Sequence, residues 1–334
     1  MMHAKTSDPS NLRLPGFPFR VEFEVNSICN LNCRCCYAQP FSGIIPPFEQ
    51  IEYLLKKTRA EADPFEIVLL GGEPFMRKDI VDLIDLSTEL FRNRRIGIST
   101  NGTLLSDLSE ESLNRLKRDS ENGFSIQVSL DSINPQINDF LRGRTHETLK
   151  GLHSLKDHNI PFVIGVMLTK YNAEDVVSTV KSLVLNFDNL VHINLELLQP
   201  PATGDAEYQK LRLNDNELAL IYYKTKALLK GLGKEKRVKI SGIVDESCEN
   251  IGKVLPLLDT YEIKSCLAGL TRAGVFPDGT VTPCTTLRNV SLGNLHSESW
   301  ETIWNRSRER FVKLELCGSQ CREINKQRVT VPFS

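Results

Sequence analysis

The sequence lacks any apolar run that approaches the ~18 residues needed for a membrane-spanning helix. Its amino terminus, MMHAKTSDPSNLRLPGF, also lacks the apolar stretch of a secretory signal, so a cytoplasmic protein is expected. Neither sign of charge is in excess, because 41 basic and 42 acidic side chains leave a net charge of −1. This balance argues against a large nucleic-acid footprint. We therefore expect neither a membrane nor a nucleic acid as a partner.

The 334 residues have the length of about two domains, and 40% of them are hydrophobic, which excludes a disordered chain. The chain has nine cysteines. Because this number is odd and a chain of this size does not need disulfide bonds for stability, a disulfide framework is not expected. Clustered cysteines instead favour metal binding or redox chemistry, and the uneven spacing here predicts two separate sites. The first group is Cys29, Cys33, Cys35 and Cys36, and the second is Cys248, Cys266, Cys284, Cys317 and Cys321.

Between the two groups, strand-like and helical segments alternate. The predicted strands are residues 21–26, 66–70, 96–100, 125–130, 162–168 and 191–197, and the predicted helices are residues 48–62, 78–92, 110–120, 145–157, 173–186 and 215–232. Six parallel strands predict either a partial barrel or an open doubly wound sheet. In both architectures, ligands bind beyond the carboxyl ends of the strands.

The first cysteine group contains the spacing C-x3-C-x2-C in Cys29, Cys33 and Cys36. Three thiolates on one tight loop hold three corners of a cubane iron–sulfur cluster, whereas zinc is expected to take paired C-x2-C arms. The motif resembles the signature of the radical S-adenosylmethionine (SAM) enzymes, C-x3-C-x-φ-C, in which φ is usually aromatic. Here Cys35 occupies the φ position, and we expect it to pack as a small apolar residue.

Further motifs at strand ends resemble the SAM-binding positions of this family. GGEP resembles the motif that binds the amino group of SAM, and TNG resembles a segment that lies near SAM in this family. VSLDS resembles a segment whose side chains suit the hydroxyls or the carboxylate of SAM. LRGR resembles a segment whose arginine binds the SAM carboxylate. Read from the residues alone, these segments are also compatible with ordinary turns and a surface arginine. The residues expected to bind SAM are Gly71, Gly72, Glu73, Pro74, Asn101, Ser129, Asp131 and Arg142. The role of Glu196 stays open.

The second cysteine group begins with Cys266-x12-Gly279-x4-Cys284, in which Pro-Asp-Gly predicts a hairpin that brings the flanking cysteines together. With Cys317 and Cys321, the four thiolates are enough for one cluster or one zinc ion. This region resembles the auxiliary-cluster extension of radical SAM enzymes, called SPASM in its full form and twitch in its short form. Only the last C-x3-C of the full pattern is present, which implies one auxiliary 4Fe-4S cluster. Cys248 is not expected to be a ligand.

The resemblance implies an α/β fold, a partial (β/α)6 TIM-type barrel with a small C-terminal cysteine-rich auxiliary-cluster domain. The expected divisions are an N-terminal extension (1–18), the radical SAM partial-barrel core (19–204), a helical connector (205–260) and the twitch or truncated SPASM domain (261–334).

The function implied by the resemblance is reductive cleavage of SAM to a 5′-deoxyadenosyl radical, which abstracts hydrogen from a peptide or protein. One alternative is a cofactor or small-molecule biosynthetic enzyme of the same chemistry, such as a dehydrogenase or a tetrapyrrole-modifying enzyme. An alternative of another class is a non-catalytic iron–sulfur or zinc scaffold. A flavodoxin or ferredoxin is the expected kind of electron donor. The spacing of the residues singles out no catalytic acid, base or hydrogen donor.

Overall fold

The computed structural model describes residues 16–198, 206–241, 268–269 and 271–312. The strands within these ranges are β1 (Arg20–Asn26), β2 (Glu66–Gly71), β3 (Arg95–Thr100), β4 (Phe124–Ser129), β5 (Phe162–Leu168), β6 (Leu190–Leu197), β7 (Lys239–Ser241), β8 (Arg272–Val275), β9 (Thr280–Thr282) and β10 (Gly293–Asn294). The α-helices are α1 (Phe48–Glu61), α2 (Ile80–Leu90), α3 (Glu110–Ser120), α4 (Pro135–Leu141), α5 (Thr145–Asp157), α6 (Val176–Asn186), α7 (Ala206–Leu211), α8 (Asp215–Gly231) and α9 (Trp300–Val312).

In the described part of the chain, all ten strands belong to one open sheet in the order β10-β9-β8-β1-β2-β3-β4-β5-β6-β7. The strands from β8 to β7 in this order pair in parallel, whereas β9 and β10 pair antiparallel at one edge. The predicted partial-barrel α/β fold is confirmed, and its six strands are extended by one parallel strand on each side. The extension beside β1 comes from the predicted hairpin, whose first strand, β8, aligns Arg272 with Arg20.

Apolar and polar residues alternate along β1, β4 and β6, which indicates that the helices cover only one face of the sheet. In β1, Val21, Phe23 and Val25 belong to the core that includes the buried side of α1, whereas Glu22 and Glu24 point to the opposite face. A parallel sheet covered by helices on both faces would be apolar on both. We call the opposite face the inner face. Its polar residues include Glu22, Glu24, Ser125, Gln127, Ser129, His192, Asn194 and Glu196.

Two helices were not predicted from the sequence, α4 and α7. They have seven and six residues, too few for a 3.6-residue period to become visible. In contrast, α3 and α5 have the predicted bounds. No helix in the described ranges is long and apolar enough to cross a membrane.

The last described helix, α9, packs against the first helix of the barrel. The side chains of Trp300 and Trp304 are completely buried. The indole nitrogen of Trp300 donates to Thr58 Oγ1 over 3.0 Å, and its backbone nitrogen donates to Glu61 Oε2 over 2.9 Å. The segment between Cys284 and Cys317 is therefore held by the barrel core.

Replacing this anchor should destabilise the whole protein. We expect Trp300→Ala to lower the free energy of unfolding by about 3–5 kcal/mol, because it leaves a large cavity and an unpaired Thr58 hydroxyl. Urea denaturation followed by circular dichroism measures the change. Glu301→Ala, an exposed position on the same helix, should stay within about 0.5 kcal/mol of the wild type. Equal stability of the two variants would contradict the role of Trp300.

Candidate active site

The two glycines at the end of β2 make room for the backbone of the cysteine loop. A Cβ on Gly72 would lie 1.9 Å from the carbonyl oxygen of Ile28, and one on Gly71 would lie 2.5 Å from that of Asn26. The Ile28 carbonyl also accepts a hydrogen bond from Glu73 N over 2.7 Å. Only glycine permits this crossing, so the pair positions the loop whether or not it also contacts a ligand.

The carboxylate of Glu73 joins the ends of β2 and β3. Its Oε1 accepts hydrogen bonds from Phe75 N at 3.0 Å and Thr100 Oγ1 at 2.7 Å, and its Oε2 accepts one from Asn101 N at 2.6 Å. Burial raises the pKa of Glu73, although these three donors act in the opposite direction. Pro74 follows as the first residue of a 3-10 turn that Glu73 caps.

Hydrogen-bond donors surround the first thiol of the cysteine loop. Leu31 N lies 3.4 Å and Asn101 Nδ2 lies 3.9 Å from Cys29 Sγ. Asn101 is held in turn by Asn30 Oδ1, which accepts from its Nδ2 over 2.8 Å. Hydrogen bonds to sulfur are among the contacts by which proteins tune iron–sulfur clusters. The predicted contact Asn101 therefore lies beside the predicted ligand Cys29.

The other cysteines of the loop differ in their surroundings. Cys33 Sγ lies 3.8 Å from the carbonyl oxygen of Arg142, and burial raises the pKa of the Cys33 thiol to about 11. Cys36 is half-buried, and its nitrogen donates to Cys33 O over 3.2 Å. Cys35 packs in an apolar cluster with Leu141 and Met167, as its position in the motif predicts.

The thiols of Cys29, Cys33 and Cys36 fit an iron–sulfur cluster better than they fit a single metal ion. Among the described residues, no three His, Cys, Asp or Glu side chains lie close enough together to hold one metal ion. The ligands of a four-iron cluster each bind a different iron, so they do not have to converge on one point. The loop with Cys29, Cys33 and Cys36 thus has the donor chemistry for such a cluster, which would leave one iron without a protein ligand.

The buried Asp131 and the half-buried Arg142 form an ion pair beside the cysteine loop. Arg142 Nε donates to Asp131 Oδ2 over 2.7 Å, and Met167 N donates to Asp131 Oδ1 over 2.8 Å. Burial opposes the charge of Arg142, but Asp131 and the neighbouring cysteines raise its pKa well above the usual value. The other predicted residue of this region, Ser129, is half-buried on the inner face at the end of β4.

The segment after Cys284 contacts the inner face of β1 and the cysteine loop. Thr285 Oγ1 donates to Glu22 Oε2 over 2.9 Å and lies 3.3 Å from the hydroxyl of Tyr37, the residue after Cys36. Burial alone would raise the pKa of Glu22, but two arginines and Thr285 hold it below its usual value. The two cysteine-bearing segments therefore meet through side chains. The other expected ligands, Cys266, Cys317 and Cys321, and also Cys248, lie outside the described residues.

The sequence analysis missed the residues that hold the site together, such as Asn30, Thr100 and Thr285. Short polar residues in loops carry no recognisable spacing, so no local signal identifies them. A signal did exist for Glu22 and Glu24, because the alternation in RVEFEVN is unusual for a strand inside a parallel sheet.

The close approach of the Ile28 carbonyl to Gly72 allows a direct test of how the cysteine loop is positioned. We expect Gly72→Ala to lower the free energy of unfolding by about 3 kcal/mol, because the new methyl group overlaps the Ile28 carbonyl. It should also reduce the iron bound after anaerobic reconstitution, since the loop has to move. Gly231→Ala is the control: it adds a methyl group in open space at the end of α8 and should be neutral or stabilising. A Gly72→Ala protein with wild-type stability and iron content would contradict the crossing.

Two family models match the chain in succession. Residues 23–183 match the radical SAM superfamily, and residues 266–325 match SPASM, described as an iron-sulfur cluster-binding domain. The first region contains the cysteine loop and the ends of the first five strands. The second contains Cys266, Cys284, Cys317 and Cys321.

Known proteins resemble the chain over most of its length. The AdoMet-dependent heme synthase of Methanosarcina barkeri is 26% identical over 323 residues, which cover 91% of this chain and 86% of that protein. The sporulation killing factor maturation protein SkfB of Bacillus subtilis is 23% identical over 319 residues, which cover 94% and 71%. The crystal structure of Streptococcus suis SuiB bound to precursor peptide SuiA shares the fold, with a TM-score of 0.71 at 16% identity, over 87% of this chain and 65% of that one.

Both domain matches and the shared fold agree with the motifs at the strand ends. They imply a 4Fe-4S cluster that binds SAM, together with an iron–sulfur domain at the carboxyl side. The chain belongs to the radical SAM superfamily, in its SPASM/twitch subgroup.

Proposed function

We propose that this protein is a radical SAM enzyme that abstracts hydrogen from a peptide or protein substrate. The observation that carries the choice of substrate is the set of polar side chains that β4 and β6 present on the inner face of the sheet. On β4 it presents Ser125, Gln127 and Ser129, and on β6 it presents residues 192, 194 and 196, all of them hydrogen-bonding side chains. A peptide backbone needs such partners for its amide groups when it leaves water.

The first cysteine loop provides the SAM-binding end of the site in this proposal. Cys29, Cys33 and Cys36 would hold the 4Fe-4S cluster, which when bound supplies the electron that cleaves SAM to the 5′-deoxyadenosyl radical. The SAM contacts would come from Gly71, Gly72, Glu73, Pro74, Asn101, Ser129, Asp131 and Arg142.

The described contacts assign different tasks to these residues. Gly71 and Gly72 let the loop lie directly on β2, and Glu73 fixes the neighbouring ends of β2 and β3. Asp131 orients Arg142, whose guanidinium keeps further N–H groups with which to bind a carboxylate.

The second cysteine group would hold one auxiliary 4Fe-4S cluster on Cys266, Cys284, Cys317 and Cys321. The contact between Thr285 and Tyr37 supports a position of this group close to the first loop. A flavodoxin or ferredoxin would supply the electrons.

A tetrapyrrole-modifying enzyme is the second candidate. It is supported by the 26% identity to the heme synthase, which covers most of both chains. A tetrapyrrole ring is a broad apolar surface, and the inner faces of β4 and β6 offer polar groups instead. The sequence similarity to SkfB, a maturation protein by its name, supports the peptide substrate.

Transfer of deuterium distinguishes the two substrates. We expect reduced, reconstituted protein to form deuterium-labelled 5′-deoxyadenosine when it is given perdeuterated peptides, because the radical takes its hydrogen from the substrate. Peptides from a digest of cells grown in heavy water serve as the probe, and mass spectrometry measures the label. A perdeuterated tetrapyrrole is supplied in parallel. Label from the tetrapyrrole alone would favour the second candidate, and no SAM cleavage in any mixture would favour a scaffold.

The number of clusters follows from an anaerobic iron and sulfide count. With two four-iron clusters, the wild type should hold about eight irons and the variant Cys29/Cys33/Cys36→Ala about four. Cys35→Ala is the matched control and should keep about eight, since Cys35 is buried among apolar side chains such as Leu141 and Met167. About four irons in the wild type and none in the triple variant would contradict an auxiliary iron–sulfur cluster.

A further inference from the structure

Glu196 differs from three other carboxylates around the inner face, because each of those is paired with an arginine. These ion pairs are Glu22–Arg20 at 3.0 Å, Glu24–Arg288 at 2.5 Å and Asp131–Arg142 at 2.7 Å. Across the described residues, Glu196 has no cationic nitrogen within 4.0 Å.

The single strong contact of Glu196 is with a neutral amide that is itself fixed in place. Gln127 Nε2 donates to Glu196 Oε1 over 2.7 Å, and Gln127 Oε1 accepts from Asn194 Nδ2 over 3.1 Å. The second bond requires the amide nitrogen of Gln127 to face Glu196. Gly165, on the strand between them, leaves the space, since a Cβ there would lie 3.0 Å from both Gln127 Nε2 and Glu196 Oε1. One carboxylate oxygen is thus held, and Oε2 has no protein donor in the described ranges.

The electrostatic surroundings leave the charge of this carboxylate uncompensated. Burial raises the pKa of Glu196, and the adjacent Asp131 acts in the same direction. Arg142 and Arg20 lower it, but each is already paired with another carboxylate. Glu196 is half-buried, and a half-buried carboxylate without a paired cation gains more from a charged donor than a fully exposed one does.

Glu196 lies on a different strand from the expected SAM contacts, although Asp131 and Arg142 lie close enough to affect its pKa. Those contacts lie at and after the ends of β2, β3 and β4, whereas Glu196 is the penultimate residue of β6, with β5 between them. We propose that Glu196 receives a cationic N–H group of the substrate, the ammonium of a lysine or the guanidinium of an arginine, beside the fixed amide of Gln127. This inference rests on the proposed peptide substrate and names the residue type that the peptide carries at this point.

Peptide retention tests the inference without turnover. Reconstituted, SAM-loaded protein is immobilised and exposed to equal amounts of acetylated pentapeptide pools, randomised except for a central lysine, arginine, norleucine or citrulline. We expect the wild type to retain the lysine and arginine pools at least about tenfold better than the neutral pools, as a charge-assisted bond to a half-buried carboxylate provides. Glu196→Gln should abolish this preference, because the neutral amide still accepts from Gln127 but no longer attracts a cation.

Two further measurements exclude trivial causes. Glu235→Gln removes one exposed negative charge and should keep the wild-type preference. SAM affinity, measured by calorimetry without peptide, should agree within twofold between the wild type and Glu196→Gln.

Three results would overturn the inference: no preference for cationic pools in the wild type, an unchanged preference in Glu196→Gln, or a loss of SAM affinity as large as the loss of peptide retention. The last would assign the carboxylate to SAM. Deuterium transfer tests the reaction itself, so failure of the peptide reaction and failure of the Glu196 contact give different results.

Discussion

The carbonyl oxygen of Ile28 lies where a side chain of residue 72 would begin, and this close crossing determines the geometry of the site. Because the loop after β1 lies directly on the end of β2, Glu73 N binds the loop and the Glu73 carboxylate reaches the end of β3. Asn101, held by that carboxylate, then lies beside the sulfur of Cys29. The thiol of Cys29 is therefore positioned by backbone and side-chain contacts among the ends of three strands.

A second constraint arises from the helices, which cover only one face of the sheet. The inner face must place charged side chains away from bulk water, and this is favourable only when each charge finds a partner. The carboxyl-terminal segment supplies part of these partners, since Thr285 binds Glu22 and Arg288 binds Glu24. Docking of that segment therefore neutralises Glu24 and adds a hydrogen bond to Glu22, whose charge is already paired with Arg20. On β6, Glu196 is left for a partner that the described chain does not provide.

The fold was largely predictable because its main elements are long enough to show their period. The bounds of α3, α5 and β5 agree with the sequence pattern to the residue. The helices α4 and α7 were not predicted because they are too short to show a helical period. For the candidate site, the cysteine spacing and the motifs at the strand ends identified residues that the structure brings together, such as Asn101 with Cys29 and Asp131 with Arg142. Their assignment to SAM and to the clusters stays a prediction.

The sequence by itself determined the fold class and the type of chemistry, because strand and helix periods and the spacing of cysteine ligands are local patterns. Only the tertiary structure decided which charges neutralise one another. Asp131 pairs with a residue 11 positions away, whereas Glu24 pairs with Arg288 across 264 positions. Such pairing depends on strand order and register, which bring distant side chains to the same face. No local pattern encodes that proximity, and none distinguishes a neutralised glutamate from one, such as Glu196, that has no cation beside it.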